Sequence, residues 1–330
     1  MTTLEFFPAL AAAATTCVAV WALVRLAPRV GWVDGGREVR KVGVAPVPLV
    51  GGAALVAGWL AAWAVLELAG RDRFEFVPGR ELRVLVARFV GPDATLWPLG
   101  GLLTAFVVGT IDDVLPDGLR PLQKLAGQAL AGAVLGLPSV VADPASGEAW
   151  GAFALLAAGS VVALNLVNTF DNADGAAASL GVTGLLFPAP MFAAALAAFL
   201  PWNFGRRGAP PRAMLGDAGS HALGFAILLV PAAWPVLVLP ALDLARLAWL
   251  RPRLGAAPWE GDRRHLAHRF QRRVGSALRV TAALVLIALP CAFLGWMGAP
   301  VTAALFARAL RAAPAPEEAA LLARRSSSAA

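Results

Sequence analysis

The sequence predicts an all-α fold: a polytopic integral membrane helical bundle of about nine to eleven transmembrane segments, some short or re-entrant. Three observations carry that prediction. Of 330 residues, 58% are apolar, and the mean hydropathy is +0.69, too oily for a soluble enzyme. The apolar residues fall into stretches close to the ~20 residues that a helix needs to cross a bilayer. The charged residues, in contrast, collect in short clusters at the ends of those stretches.

Taken in chain order, apolar segments run over 6–27, 47–69, 96–111, 122–141, 150–170, 175–187, 189–204, 218–230, 232–250, 277–297 and, weakly, 299–311. The first lacks a basic leader and reads as a retained span. Segments 6–27, 47–69, 150–170 and 277–297 are long enough to cross. The stretches 175–204 and 218–250 are each long for one helix and short for two, and are broken by Pro188 and Pro190 and by Pro231. Nothing between segments is large enough for a soluble domain, so 1–311 reads as one transmembrane domain. The tail 312–330, rich in Pro, Ser and Ala, reads as disordered. Cys17 and Cys291 each stand alone in an apolar stretch and read as small core residues.

The formal charge of +7 is spread between apolar segments, which favours lipid headgroups and a phosphorylated substrate over nucleic acid. Arg29, Arg37, Arg40 and Lys41, the loop around 205–213, and the arginines after the ninth segment belong inside by the positive-inside rule. The loop 71–93, with five arginines, is the exception. Eleven crossings with the N-terminus outside put every charged cluster on the cytoplasmic side, as a single active site requires.

Four clusters carry aspartates. A carboxylate at a membrane centre costs ~2.5–3.5 kcal/mol, so those in or beside spans are functional candidates. Asp112-Asp113 closes the third segment, with Lys124 and Gln128 one helical turn apart at the start of the fourth; paired carboxylates share cation binding and proton acceptance, and an ammonium neutralises phosphate. Asn165, Asn168, Asp171 and Asp174 advance by threes and predict a polar stripe, roughly on one helix face, running from the span into the loop, with a helix cap at Asp171 or Asn172 as the plainer reading. Gly216-Asp217-Ala218-Gly219-Ser220 sets a carboxylate between glycines at a helix start. Asp262-Arg263-Arg264-His265-Leu266-Ala267-His268 offers guanidinium and imidazole donors to a diphosphate; zinc binding by the two histidines is the weaker reading. His221, on an apolar helix, reads as structural, and Asp243 as an intrahelical partner of Arg246 that orients the last loop.

The order of these motifs over roughly 30–270 resembles the polyprenyl-phosphate N-acetylhexosamine-1-phosphate transferase family. The resemblance rests on Asp34, Arg40-Lys41, Pro46 to Gly52, Gly109 to Asp113, Lys124, Gln128, Asn168 to Gly175, Asn203-Phe204, Met214 to Ser220 and Asp262 to His268. It implies a magnesium- (or manganese-) dependent transfer at the cytoplasmic face of the inner (plasma) membrane, from a UDP-N-acetylhexosamine to a polyprenyl phosphate such as undecaprenyl phosphate, with release of UMP. It implies Asp217, Asp112 and Asp174 as metal ligands, and Asp112, Asp113 and Asp217 as catalytic residues. Arg40, Lys41, Lys124, Asn168, Asp171, Asp174, Arg263, His265 and His268 would bind substrate. Membrane lipids are expected partners, and a homodimer a further assembly. The chain departs from the family pattern at Gly43 and Val44, at Ala267, where a further His is usual, and at Asn172, where Gly is usual. Those departures make a non-catalytic lipid-phosphate or nucleotide-binding relative the second reading. A transporter ranks third, because the carboxylates sit at segment ends and no inverted repeat is visible.

Overall fold

The structure, a computed structural model, describes residues 3–34, 46–69, 96–205, 209–257, 263–315 and 320. Twelve helices dominate the described residues: α1 (Thr3–Val30), α2 (Gly51–Leu68), α3 (Leu96–Val114), α4 (Pro121–Ala142), α5 (Gly147–Phe170), α6 (Ala176–Leu185), α7 (Pro190–Asn203), α8 (Gly216–Leu228), α9 (Val238–Arg253), α10 (Leu266–Val274), α11 (Ala277–Leu294) and α12 (Ala299–Ala312). The protein is thus an all-α polytopic membrane protein, as the hydropathy predicted. One minimal antiparallel ribbon accompanies the helices, β1 (Val33–Asp34) pairing with β2 (Val47–Pro48) in the register Val33 to Pro48 and Asp34 to Val47.

Local chemistry sets the helix ends. Pro121 opens α4, where its missing N–H is no loss, and Gln123 reaches back to accept from the Arg120 amide at 3.1 Å. Ser146 accepts from the Ala149 amide at the start of α5. Pro190 opens α7. Pro231 opens a 3-10 stretch, Pro231–Leu237, that runs straight into α9.

Among the described residues, six stretches are long and apolar enough to cross a membrane: 6–30, 51–68, 121–142, 147–170, 231–253 and 277–312. Helices α6, α7 and α8 have 10, 14 and 13 residues. At 1.5 Å per residue these reach roughly 15–21 Å, short of the ~30 Å hydrocarbon thickness. Their shortness has a physical basis in α8, which lies inside the bundle against α2, α3 and α5, with every residue from Ala218 to Leu228 buried. A helix enclosed by protein has no need to match the bilayer.

Large apolar side chains face outward, including Leu10, Val18 and Trp21 on α1, Leu155 and Val162 on α5, and Leu286 and Phe293 on α11. Lipid is as apolar as these side chains, so helix association must rest on close packing instead. Small residues provide it. A Cβ on Gly132 of α4 would lie 2.7 Å from Ala157 Cα of α5, and one on Gly58 of α2 would run into Thr16 and Ala12 of α1. Trp59 anchors the α1–α2–α7 corner; its ring meets Phe192 edge-on at 5.1 Å and its indole N–H donates to the Phe192 carbonyl at 3.4 Å.

The polar stripe passes from the span into the loop: Asn165 and Asn168 lie on α5, which stops at Phe170, Asp171 is its C-cap, and Asp174 sits in the following turn, so the helical spacing ends at the cap. The plainer cap reading holds for Asp171. The tail does not become free at Ala312, for Ala313 and Ala315 are buried and Arg269 of α10 donates to the Ala313 and Leu310 carbonyls. Residues 316–319 and 321–330 lie outside the described residues.

Candidate active site

Four helices bring their polar ends together. The Lys124 ammonium, in the first turn of α4, bonds to Asp112 Oδ2 at 2.8 Å and to Asp217 Oδ2 at 2.6 Å, with Asn168 Oδ1 3.5 Å away. Asn168 in turn donates to the second oxygen of Asp217 and to Ser220 Oγ, the latter at 2.9 Å. Residues 112, 124, 168 and 217 are thus assembled from α3, α4, α5 and α8 around one cation. The lysine is partly accessible, its side chain 19% exposed and that of Asp217 29%.

Asp113 does different work from its neighbour. Both its oxygens accept backbone N–H groups at the start of α8, from Asp217 at 2.8 Å and Ala218 at 2.9 Å. A carboxylate at that end complements the helix dipole and satisfies two otherwise orphaned donors. Gly216 makes the joint feasible. Its φ is +72°, and a Cβ there would lie 2.6 Å from Asp113 Oδ2. Gly109, one turn before Asp113, lets α3 approach so closely that a Cβ would strike the Asp217 carbonyl. On the other side, Gly51 and Gly52 at the start of α2 donate to the Met214 and Leu215 carbonyls at 3.0 and 3.1 Å, and Met214 N–H returns to Pro48 at 2.8 Å. The Asp217 loop is therefore held from α2 and α3 at once.

The turn after α5 adds more negative charge. Burial, and then the charges of Asp217, Asp113 and Asp174, push the Asp171 carboxyl up to about 8. Burial also raises the Asp174 carboxyl, partly offset by the Gly205 N–H, which donates to its Oδ2 at 3.2 Å. Asn203, at the end of α7, fixes this turn against the Asp217 loop, accepting from the Gly175 N–H and donating to the Ala213 carbonyl, each at 3.0 Å. Asn203 and Ser220 were visible in the sequence only as parts of longer motifs. Their roles depend on contacts 28 and 52 residues distant in the chain.

The closing motif forms a separate network. Asp243 of α9 binds His265 Nδ1 at 2.9 Å, Arg246 at 3.1 Å and the Leu266 N–H at 3.2 Å, while Arg246 donates to the Arg264 carbonyl at 2.6 Å. Asp243 thus orients the last loop as expected, although through His265 and the Leu266 N–H as well as Arg246. His265 is buried and His268 lies beside it with ring centroids 6.3 Å apart. Arg263 is exposed, and its carbonyl accepts from Arg272 at 3.0 Å. Ala267 is buried, filling apolar space where an imidazole is usual in the resembled family. Arg40, Lys41 and Asp262 lie outside the described residues.

Among the described residues no three His, Cys, Asp or Glu side chains are already gathered around a metal position. The donor chemistry nonetheless suits magnesium. Asp112 and Asp217 each turn an oxygen toward one cation position, the one Lys124 fills, and crowding of like charges adds to burial in raising Asp171. Magnesium is commonly held by one or two carboxylates, with substrate phosphates and water completing its shell.

A bundle of short and long apolar helices with acidic ends gathered round a lysine is a scaffold for charged chemistry at a bilayer surface. The chain belongs to glycosyl transferase family 4, whose family model matches residues 96–234, the stretch carrying Asp112, Asp113, Lys124, Asn168, Asp171, Asp174 and Asp217. It is 31% identical over 314 residues to the decaprenyl-phosphate N-acetylglucosaminephosphotransferase of Mycolicibacterium smegmatis, covering 74% of this chain and 70% of the relative. It is 25% identical over 307 residues to the undecaprenyl-phosphate alpha-N-acetylglucosaminyl 1-phosphate transferase of Escherichia coli, covering 83% and 77%. A phospho-N-acetylmuramoyl-pentapeptide-transferase of Moorella thermoacetica is 38% identical over a shorter 154 residues, 37% of this chain and 47% of that one.

Proposed function

We propose that this protein is a phosphotransferase that moves an N-acetylhexosamine 1-phosphate from its UDP donor to a polyprenyl phosphate at the cytoplasmic face of the membrane. The observation that supports it best is the meeting of Asp112, Asp217 and Asn168 on the Lys124 ammonium, within the stretch the family model matches. In the transfer, an oxygen of the lipid phosphate forms a bond to the β-phosphorus of the donor. The bond from that phosphorus to the oxygen bridging to the α-phosphorus breaks, and its electron pair leaves with UMP.

Such a reaction demands positioning and charge neutralisation more than covalent help from the protein. Lys124 supplies a fixed positive charge next to the incoming phosphates. Asp112 and Asp217 hold that ammonium in place and are the residues that would hold magnesium, with Asp174, on the turn after α5, proposed as a third ligand. When bound, magnesium would neutralise the diphosphate oxygens. Asn168 orients Asp217, and Asp113 acts through α8 by fixing its first turn. Asp171, His265, His268 and Arg263, together with Arg40 and Lys41, are proposed to contact the nucleotide, sugar and diphosphate. The lipid tail of the acceptor accounts for building this chemistry among membrane helices.

The test is UMP release by purified protein given polyprenyl phosphate, magnesium and a panel of UDP-N-acetylhexosamines. Release that depends on both lipid and magnesium is expected. A well-folded protein that releases no UMP with any donor would overturn the proposal in favour of a non-catalytic binding protein.

A further inference from the structure

Directly beneath the Lys124 cluster lies a second polar layer built on three of the same helices. Gln128 stands one turn after Lys124 on α4, His221 one turn after Asp217 on α8, and Asn165 one turn before Asn168 on α5. The lower layer repeats the connectivity of the upper one with neutral groups. Gln128 Nε2 lies 3.1 Å from His221 Nε2, and Asn165 donates to Gln128 Oε1. Gln128 and His221 are fully buried.

The bonds fix every orientation. Asn165 Nδ2 also donates to the Val161 carbonyl at 2.8 Å, so its amide nitrogen, and not its oxygen, faces Gln128. Gln128 must then present its oxygen to Asn165 and its N–H to the imidazole. His221 Nε2 is consequently an acceptor, and the ring's proton sits on Nδ1. That second nitrogen is buried with no hydrogen-bond partner among the described residues. An orphaned buried donor is a cost that a leucine or methionine would not carry. Histidine is therefore a poor choice for stability alone, among Ala222, Leu223 and Phe225. Its one bond spans from α8 to α4, the two helices that carry Asp217 and Lys124.

We propose that His221 is a positioning residue for the transfer reaction, acting through Gln128 to hold the Lys124 ammonium in register with Asp217. This rests on the reading of the Lys124 cluster as the active site. The Nε2 acceptor locks the rotation of Gln128, and Asn165 locks its other end. The Ser160 hydroxyl, donating to the Gln128 carbonyl at 2.8 Å, fixes the α4 backbone at the same level. With that level rigid, a lysine one turn above has little freedom to leave its two carboxylates.

The test compares the wild type with His221→Leu and His221→Gln on two readouts. One is kcat and KM for UMP release. The other, independent of turnover, is trace labelling by an amine reagent, read by mass spectrometry as the ratio of Lys124 to Lys41, the chain's other lysine. His221→Leu is expected to lower kcat about tenfold, with KM for the UDP-sugar changed less than about twofold, because misplacement of a charge-neutralising group is felt in the transition state. The labelling ratio should rise at least about threefold, as an amine no longer held between two carboxylates is more accessible to the reagent. His221→Gln, which restores an acceptor, should recover most of both. A folded His221→Leu protein with wild-type kcat and labelling ratio overturns the proposal; so does a His221→Gln protein as impaired as His221→Leu. Should His221→Leu fail to fold, Gln128→Met breaks the same link from the other helix and is judged by the same values. If the wild type itself releases no UMP, the proposed function fails and the labelling ratio alone decides this inference.

Discussion

At the scale of single residues, chemistry concentrates on an ammonium shared by two carboxylates. Removing either partner leaves a buried or half-buried charge uncompensated. Asp217→Asn and Lys124→Met are each expected to lower UMP release by about 10²-fold or more, with the helical circular dichroism retained, since charged groups fixed in advance around the reacting phosphates do most to stabilise such a transition state. Lys124→Arg should fare little better, because a planar guanidinium cannot occupy the point between Asp112 and Asp217 that a compact ammonium fills. Asp171 gives a pH prediction with a definite sign. Its carboxyl is pushed up to about 8 in the folded protein against an ordinary value of 3.8, so the native state holds its proton more tightly than the unfolded chain. The associated stability is complete below the ordinary value and is lost as pH rises through about 8. Without divalent cation, the thermal midpoint of the wild type should therefore fall toward alkaline pH, and Asp171→Asn should remove part of that fall. Most of these residues could be read from the sequence, because a carboxylate beside an apolar span has few bland explanations. The division of labour between Asp112 and Asp113 could not. Adjacent aspartates look equivalent in a sequence, and only the position of the α8 amides shows that one faces Lys124 and the other caps a helix.

At the scale of elements, the helix ends followed from prolines and caps, while the stripe of four polar residues keeps its helical spacing only as far as the cap. Spacing by threes assumes that a helix continues, and Asp171 closes α5 instead. The structure adds a joint between α3, α8 and the loop before α8, in which Gly216 has both a left-handed backbone and contact with Asp113. Gly216→Ala would force a left-handed backbone on alanine and press a methyl group against Asp113. A loss of roughly 1–3 kcal/mol is expected, seen as a lower thermal midpoint, together with reduced activity as Asp217 shifts. Asn203→Leu should act similarly at the other side of the site, leaving the Gly175 N–H and the Ala213 carbonyl without their bonds, at about 1–3 kcal/mol.

At the scale of the whole molecule, hydropathy identified the bundle and four segments of crossing length, to which the helices add 121–142 and 231–253 among the described residues, but it did not show which short segments are interior. Hydropathy measures how oily a segment is, and α8 is no less oily for being enclosed by protein rather than lipid. The hairpin of α4 and α5 supplies a topological prediction. The loop 115–120 lies at the Lys124 end of α4 and the loop 143–146 at its other end. With Cys17 and Cys291 replaced by serine, a cysteine at Asp117 should react with an impermeant thiol reagent only from the cytoplasmic side, and one at Asp143 only from the other. Reaction of both from one side would show that α4 does not cross. Chelation should abolish UMP release and added magnesium should restore it, as a site with more carboxylates than cations requires.

The enclosure of α8 has a consequence for the life of the protein in a changing cell. Cells alter acyl-chain length and fluidity with temperature and growth, and outer helices must tilt or slide to follow the new bilayer thickness. A reacting group mounted on one of those helices would be detuned with every such adjustment. Carried instead on an inner post that touches only polypeptide, Asp217 keeps its address while the hydrocarbon around the protein thickens or thins.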